Sequence, residues 1–148
     1  MNYLLSILLT SIIAVESGEG LGSTDIDSVG GDGRAVGMLH ITPAMVMDVN
    51  LITGKHYKLA DRLDRMASIE MYTVYLTHYG NVYRKHTGEE PTLEVYARIW
   101  NGGPDGYNDI ATLGYWNKVK AELESRGIDA RLGRPKRPPC PCGREPRR

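Results

Sequence analysis

At 148 residues the chain fits one domain, a size that buries roughly two-thirds of the surface exposed when unfolded. Its formal charge is zero but divided: residues 1–125 hold 10 Lys and Arg against 16 Asp and Glu, and residues 126–148 hold 8 against 2. An acidic body without a basic stripe interleaved with aromatics excludes a nucleic-acid binder, and two cysteines exclude a disulfide framework.

The apolar run over residues 1–15 reads as a buried first helix, about 2–16, closed by Glu16 and followed by Ser17-Gly18-Glu19-Gly20. Its apolar stretch of about 13 residues is too short to span a bilayer, which takes about 20. It also lacks the Lys or Arg of a signal-peptide n-region, so no export leader is expected. A carboxylate that ends such a helix and faces a glycine-rich loop is half desolvated. Desolvation disfavours the charged form of a carboxylate, the condition a general acid requires near neutral pH. Position alone also allows a solvated helix-end glutamate.

The following loop, to Gly37, holds six glycines between Gly18 and Gly33 together with Asp25, Asp27 and Asp32, and is expected to form a short hairpin or irregular β-structure. Asp25 and Asp27 ahead of Gly30 imitate the start of an EF-hand, but Val29 and Val36 stand where ligands belong, which excludes calcium. Thr42 caps a second helix that starts at Pro43 and runs to about residue 51.

A connector over 54–60 leads to a longer helix, capped by Asp61 or Ser68 and stopped by Gly88. Its Ile69, Tyr72, Tyr75, Leu76, Tyr79 and Tyr83 recur near 3.6 residues, which reads as core lining before sugar platform. Thr92 caps a helix to about Trp100 that breaks at Asn101-Gly102-Gly103-Pro104, and a last helix spans about 112–126 and ends at Gly127. Beyond Leu132 proline, glycine and cysteine dominate, so the basic tail reads as solvated and disordered. Cys140 and Cys142 make at most half a metal site, and the four histidines show no zinc spacing. The class is mainly α, with neither metal nor cofactor expected.

Four segments in register carry a resemblance. Ala14-Val15-Glu16-Ser17-Gly18 resembles the Glu-Ser catalytic helix end of goose-type lysozymes and lytic transglycosylases. Ala35-Val36-Gly37-Met38-Leu39-His40-Ile41-Thr42-Pro43 resembles their A-(I/V)-G-L-(M/L)-Q-(I/L)-x-P segment. Tyr96 to Gly106, with Trp100-Asn101-Gly102-Gly103-Pro104 at its centre, resembles A-x-x-x-Y-N-A-G-P-G, and residues 112–119 resemble the closing E-T-x-x-Y-V-x-K-V. Order and spacing agree over roughly residues 5–120. The chain thus resembles the lysozyme-like superfamily, in its lytic transglycosylase (SLT) and goose-type lysozyme branch. A lysozyme-like domain over 1–126 and a Pro/Arg-rich basic tail over 127–148 are expected.

Carried across residue by residue, the resemblance implies Glu16 as general acid. Ser17, Met38 and His40 fall on cleft positions, Asn101 on the asparagine of the Tyr-Asn motif, and Tyr115 on the tyrosine near the catalytic glutamate. Two departures stand out: His40 replaces the usual glutamine, and Trp100 the tyrosine before asparagine. A histidine still donates a hydrogen bond to a sugar, but its charge varies near neutral pH. Tryptophan keeps a stacking face and an N–H but lacks the hydroxyl.

The implied partner is the peptidoglycan glycan strand, cut between N-acetylmuramic acid and N-acetylglucosamine. Glu16 would protonate the glycosidic oxygen, then as base take the proton of the muramoyl 6-hydroxyl, leaving a 1,6-anhydro end. A hydrolytic lysozyme needs instead a second carboxylate, about 6.5–9.5 Å away in inverting geometry. The loop offers Glu19, Asp25, Asp27 and Asp32, of which Asp27 and Asp32 are the candidates, although acids beside glycines also serve as plain turn residues. His40 and Trp100 motivate a further alternative, an inactive peptidoglycan-binding or structural virion module. The expected setting is a monomer acting on the cell wall from the periplasm or from a phage particle.

Overall fold

The computed structural model describes residues 2–17 and 35–136, so the glycine-rich loop with Asp27 and Asp32 and the segment with Cys140 and Cys142 lie outside the described residues. Five α-helices follow in order: α1 (Tyr3–Ser17), α2 (Pro43–Thr53), α3 (Arg65–Thr87), α4 (Leu93–Gly102) and α5 (Leu113–Ser125). The chain is mainly helical, as its composition and periodicity indicate. None of these helices is long and apolar enough to cross a membrane.

The helix ends are mostly local chemistry. Thr42 Oγ1 accepts from the Met45 amide at 3.3 Å and Thr92 Oγ1 from the Val95 amide at 3.3 Å. Gly54 and Gly88 stop α2 and α3 at φ of 70° and 77°, a left-handed conformation that glycine adopts without steric cost. The start of α3 corrects the sequence reading. Its cap is Asp64, whose Oδ1 accepts from the Ala67 amide at 2.7 Å. Asp61 is taken up by the preceding 3-10 turn over Leu59–Leu63, accepting from the Lys58 amide, and Ser68 is buried with its hydroxyl donating to the Arg62 carbonyl.

Helix α1 is wrapped by α4 and α5, while α3 lies on α2 and α4. Leu5, Leu8, Leu9 and Ile12 are buried at the three- and four-residue spacing of one helix face. The tyrosine stripe of α3 supplies the facing wall. Tyr72 donates from its hydroxyl to the Leu5 carbonyl at 3.0 Å, and its ring meets Trp100 edge-on at 5.2 Å. Tyr75 meets the same indole at 5.9 Å, an edge-to-face geometry aromatic pairs favour.

Between α4 and α5 the chain makes two 3-10 turns, Gly106–Asn108 and Ile110–Thr112. Arg98 pins them, its Nε donating to Thr112 Oγ1 at 2.9 Å and Nη2 to the Asp109 carbonyl at 3.2 Å. Past Arg126, where composition drew the domain's end, the chain goes on into a two-stranded antiparallel hairpin, β1 (Ile128–Asp129) with β2 (Arg134–Pro135). Ala130 within it is buried.

Candidate active site

Glu16 lies in the last turn of α1, four residues beyond buried Ile12. That spacing continues the core-facing stripe, so the carboxylate is carried inward and not to solvent. Its side chain is 15% exposed.

Two elements distant in sequence meet it there. On α5, Tyr115 stands four residues before buried Val119 and shares its face. The Tyr115 hydroxyl donates to Glu16 Oε1 at 2.7 Å. On the other side, His40 Nδ1 lies 2.8 Å from Glu16 Oε2. A carboxylate oxygen only accepts, so the imidazole carries a proton on Nδ1 and donates it. Each oxygen of Glu16 thus has its own donor.

The turn that brings His40 in is short and fixed. Val36 and Ile41 exchange backbone hydrogen bonds, and the His40 amide closes on the Gly37 carbonyl at 3.0 Å. Leu39 and Ile41 are fully buried and anchor it to the core. Gly37 adopts φ 78°, which suits glycine, but His40 adopts φ 48°, the single non-glycine residue in the left-handed region among the described residues. Arg62, unremarked in the sequence, supports the turn by donating from Nη1 to the Ile41 carbonyl at 3.1 Å. No local sequence signal marks it, because the contact spans 21 residues.

Burial is the main cause that raises the Tyr115 phenol well above 10, with the negative charge of Glu16 adding to it. The phenol therefore keeps its proton and stays a donor at neutral pH. Among the described residues no Lys or Arg pairs with Glu16; its partners are an imidazole and a phenol. No group of three or more His, Cys, Asp or Glu that could hold a metal occurs among the described residues.

The other positions singled out by the resemblance fall differently. Ser17 is partly buried and donates from its hydroxyl to the Ile13 carbonyl at 2.7 Å. Met38 is partly buried against the core, and Asn101 is exposed in the last turn of α4. Trp100 is 3% exposed, enclosed by Tyr72 and Tyr75, and so offers no free face on which a sugar could stack. Asp27 and Asp32 lie outside the described residues.

No family model matches the chain. A stretch of 40 residues, 27% of this chain and 22% of the relative, is 42% identical to Lysozyme 1 of Crassostrea virginica. A second match covers 45 residues, 28% of this chain and 32% of the relative, and is 49% identical to Invertebrate-type lysozyme 6 of Caenorhabditis elegans. The chain therefore spans between about a fifth and a third of the length of these relatives. The similarity is partial and to invertebrate-type lysozymes, not to the transglycosylase or goose-type branch in particular: over the matched stretches the chain is lysozyme-like.

Proposed function

We propose that the protein is a glycosidase of bacterial cell-wall peptidoglycan, cleaving the glycan strand between N-acetylmuramic acid and N-acetylglucosamine with Glu16 as general acid. The observation that carries this reading is the Glu16 carboxylate itself, largely withdrawn from solvent and gripped by Tyr115 and His40, with no Lys or Arg paired to it among the described residues. As the glycosidic oxygen takes the proton of Glu16, the carboxylate left behind is met by both donors. Stabilisation of that kind, aimed at charge as it develops, lowers the barrier.

In the transglycosylase form of this reaction the ionised Glu16 then accepts the proton of the muramoyl 6-hydroxyl, whose oxygen bonds to C1. The product is a 1,6-anhydro end, and one carboxylate suffices. The hydrolytic route is the second reading, favoured by the names of the two partial relatives, both lysozymes. It needs water and a further carboxylate, for which Asp27 and Asp32 are the candidates.

Mass spectrometry of fragments released from purified peptidoglycan, with Glu16→Gln alongside, tests the proposal. Fragments ending in 1,6-anhydromuramic acid, absent with the variant, establish the transglycosylase route. Reducing ends that have gained one water establish the hydrolase. A folded wild-type protein that releases nothing overturns the enzymatic reading in favour of a binding or structural module.

A further inference from the structure

His40 is the residue of the site whose surroundings its sequence position does not explain. A sugar-binding side chain presents a free donor or acceptor to the cleft, yet neither imidazole nitrogen does so here. Nδ1 is engaged by Glu16 at 2.8 Å, and Nε2 is buried with no hydrogen-bond partner among the described residues. The backbone is held at φ 48° to place the ring there, by the Val36–Ile41 pairing, by buried Leu39 and Ile41, and by Arg62 on the Ile41 carbonyl. A left-handed conformation at a non-glycine residue persists only where its surroundings over-determine it. What it secures here is contact with the acid.

Building on the function proposed above, we infer that His40 is a positioning residue that acts through Glu16 and not on the glycan, and that the two share one titrating proton. With that proton the pair is either imidazolium beside carboxylate or neutral imidazole beside carboxylic acid. Passage of one proton along the Nδ1–Oε2 contact interconverts these forms without change of net charge. Without it, a neutral ring donates Nδ1–H to a carboxylate, which is the base. The pair therefore titrates as a unit, and its apparent midpoint belongs to neither residue alone. Among the described residues the other groups around the pair are the Tyr115 phenol from α5 and Tyr72 from α3, whose charge would act on that phenol. Arg62, from the 3-10 turn, reaches the neighbouring Ile41 carbonyl.

The test combines pH–rate profiles of the full chain on peptidoglycan with histidine nitrogen NMR. His40→Gln keeps an N–H donor but cannot titrate. It is expected to hold its rate at its own optimum within several-fold while the alkaline limb of kcat/KM moves down by about one pH unit or more, because a carboxyl alone titrates below a pair that contains an imidazole. His40→Ala is expected to lower kcat by about tenfold or more with KM unchanged, since a hydrogen bond to a charged group is lost and no sugar contact. In NMR of the protein with His40 in place, Glu16→Gln is expected to lower the titration midpoint of one of the four imidazoles. That measurement involves neither turnover nor a His40 variant, so it judges the pair even if no glycan is cleaved. Unmoved imidazole titrations in Glu16→Gln would overturn the inference. So would His40→Ala raising KM at constant kcat, which would place His40 on the sugar.

Discussion

Tyr115 Oη donates to Glu16 Oε1 at 2.7 Å, a bond that ties the first turn of α5 to the last turn of α1 across 99 residues of sequence. It differs in kind from the bond on the other oxygen. Burial first, and the charge of Glu16 second, hold the Tyr115 phenol well above 10, so it donates over the whole physiological range. An imidazole changes its charge within that range. One oxygen of Glu16 thus has a phenol donor that keeps its proton throughout, and the other an imidazole.

Removing the phenol donor isolates its share. Tyr115→Phe keeps the ring and its packing but removes the hydroxyl that donates to Oε1. A hydrogen bond to a charged group is worth about 1.5–3 kcal/mol, so kcat on peptidoglycan is expected to fall roughly 10- to 150-fold with KM little changed. Circular dichroism confirms that the helices persist. Full kcat in a folded Tyr115→Phe protein would remove Tyr115 from the mechanism.

Trp100 belongs to the core, and its variants are expected to report stability before binding. Its indole is 3% exposed between Tyr72 and Tyr75. Trp100→Ala empties that volume and is expected to cost about 3–5 kcal/mol, read from the urea midpoint. Trp100→Phe keeps an aromatic edge, loses less, and leaves KM for the glycan unaltered. A rise in KM at unchanged stability would instead put Trp100 in the path of the sugar.

How far the sequence carried these conclusions depended on range. Thr42, Thr92 and Gly88 act within one turn of themselves, and their roles could be read from residue type alone. Asp61, Asp64 and Ser68 all offer a capping oxygen within eight residues, and only the fold decides which one starts α3. The burial of Trp100 was legible in the spacing Leu93, Tyr96, Ala97 and Trp100, which is one helix face, although motif comparison pointed to the cleft. The grip of His40 on Glu16 was not legible. It arises from a left-handed turn at a non-glycine residue and from two segments meeting in space, neither of which leaves a periodic trace.

Two glycines test the close packing around the turns after α4 by opposite responses. A Cβ at Gly106 would overlap the backbone carbonyl of Arg98, which cannot move aside as a flexible side chain can. Gly106→Ala is therefore expected to destabilise by about 1–3 kcal/mol or more and to loosen the approach to Tyr115. Gly114 lies in the first turn of α5, where a Cβ meets nothing within 4 Å. Gly114→Ala is expected to be neutral or stabilising by up to about 1 kcal/mol through the entropy of the unfolded chain. Thermal melts of both variants decide the matter, and equal destabilisation would contradict the packing described.

The buried phenols predict how the fold fails in alkali. Burial is the leading cause that raises Tyr72, Tyr75, Tyr79 and Tyr115, with Tyr79 pushed up to about 12. In the unfolded chain such phenols ionise near their ordinary value of about 10. Below about pH 10 both states keep these protons, and the contribution to stability is fully present. Above it the unfolded chain loses them first, the folded state holds more protons, and stability declines as pH rises toward the raised values. Urea midpoints are accordingly expected to be insensitive to these phenols between about pH 8 and 9.5 and to fall steadily above about pH 10. The phenolate absorbance of the buried rings should then appear together with loss of the helical dichroism signal, because ionising Tyr72 or Tyr115 in place would set a phenolate against the Leu5 carbonyl or the Glu16 carboxylate. Complete tyrosine ionisation near pH 10 with the helices intact would mean that these hydroxyls are open to water and that Tyr115 is not sealed against Glu16.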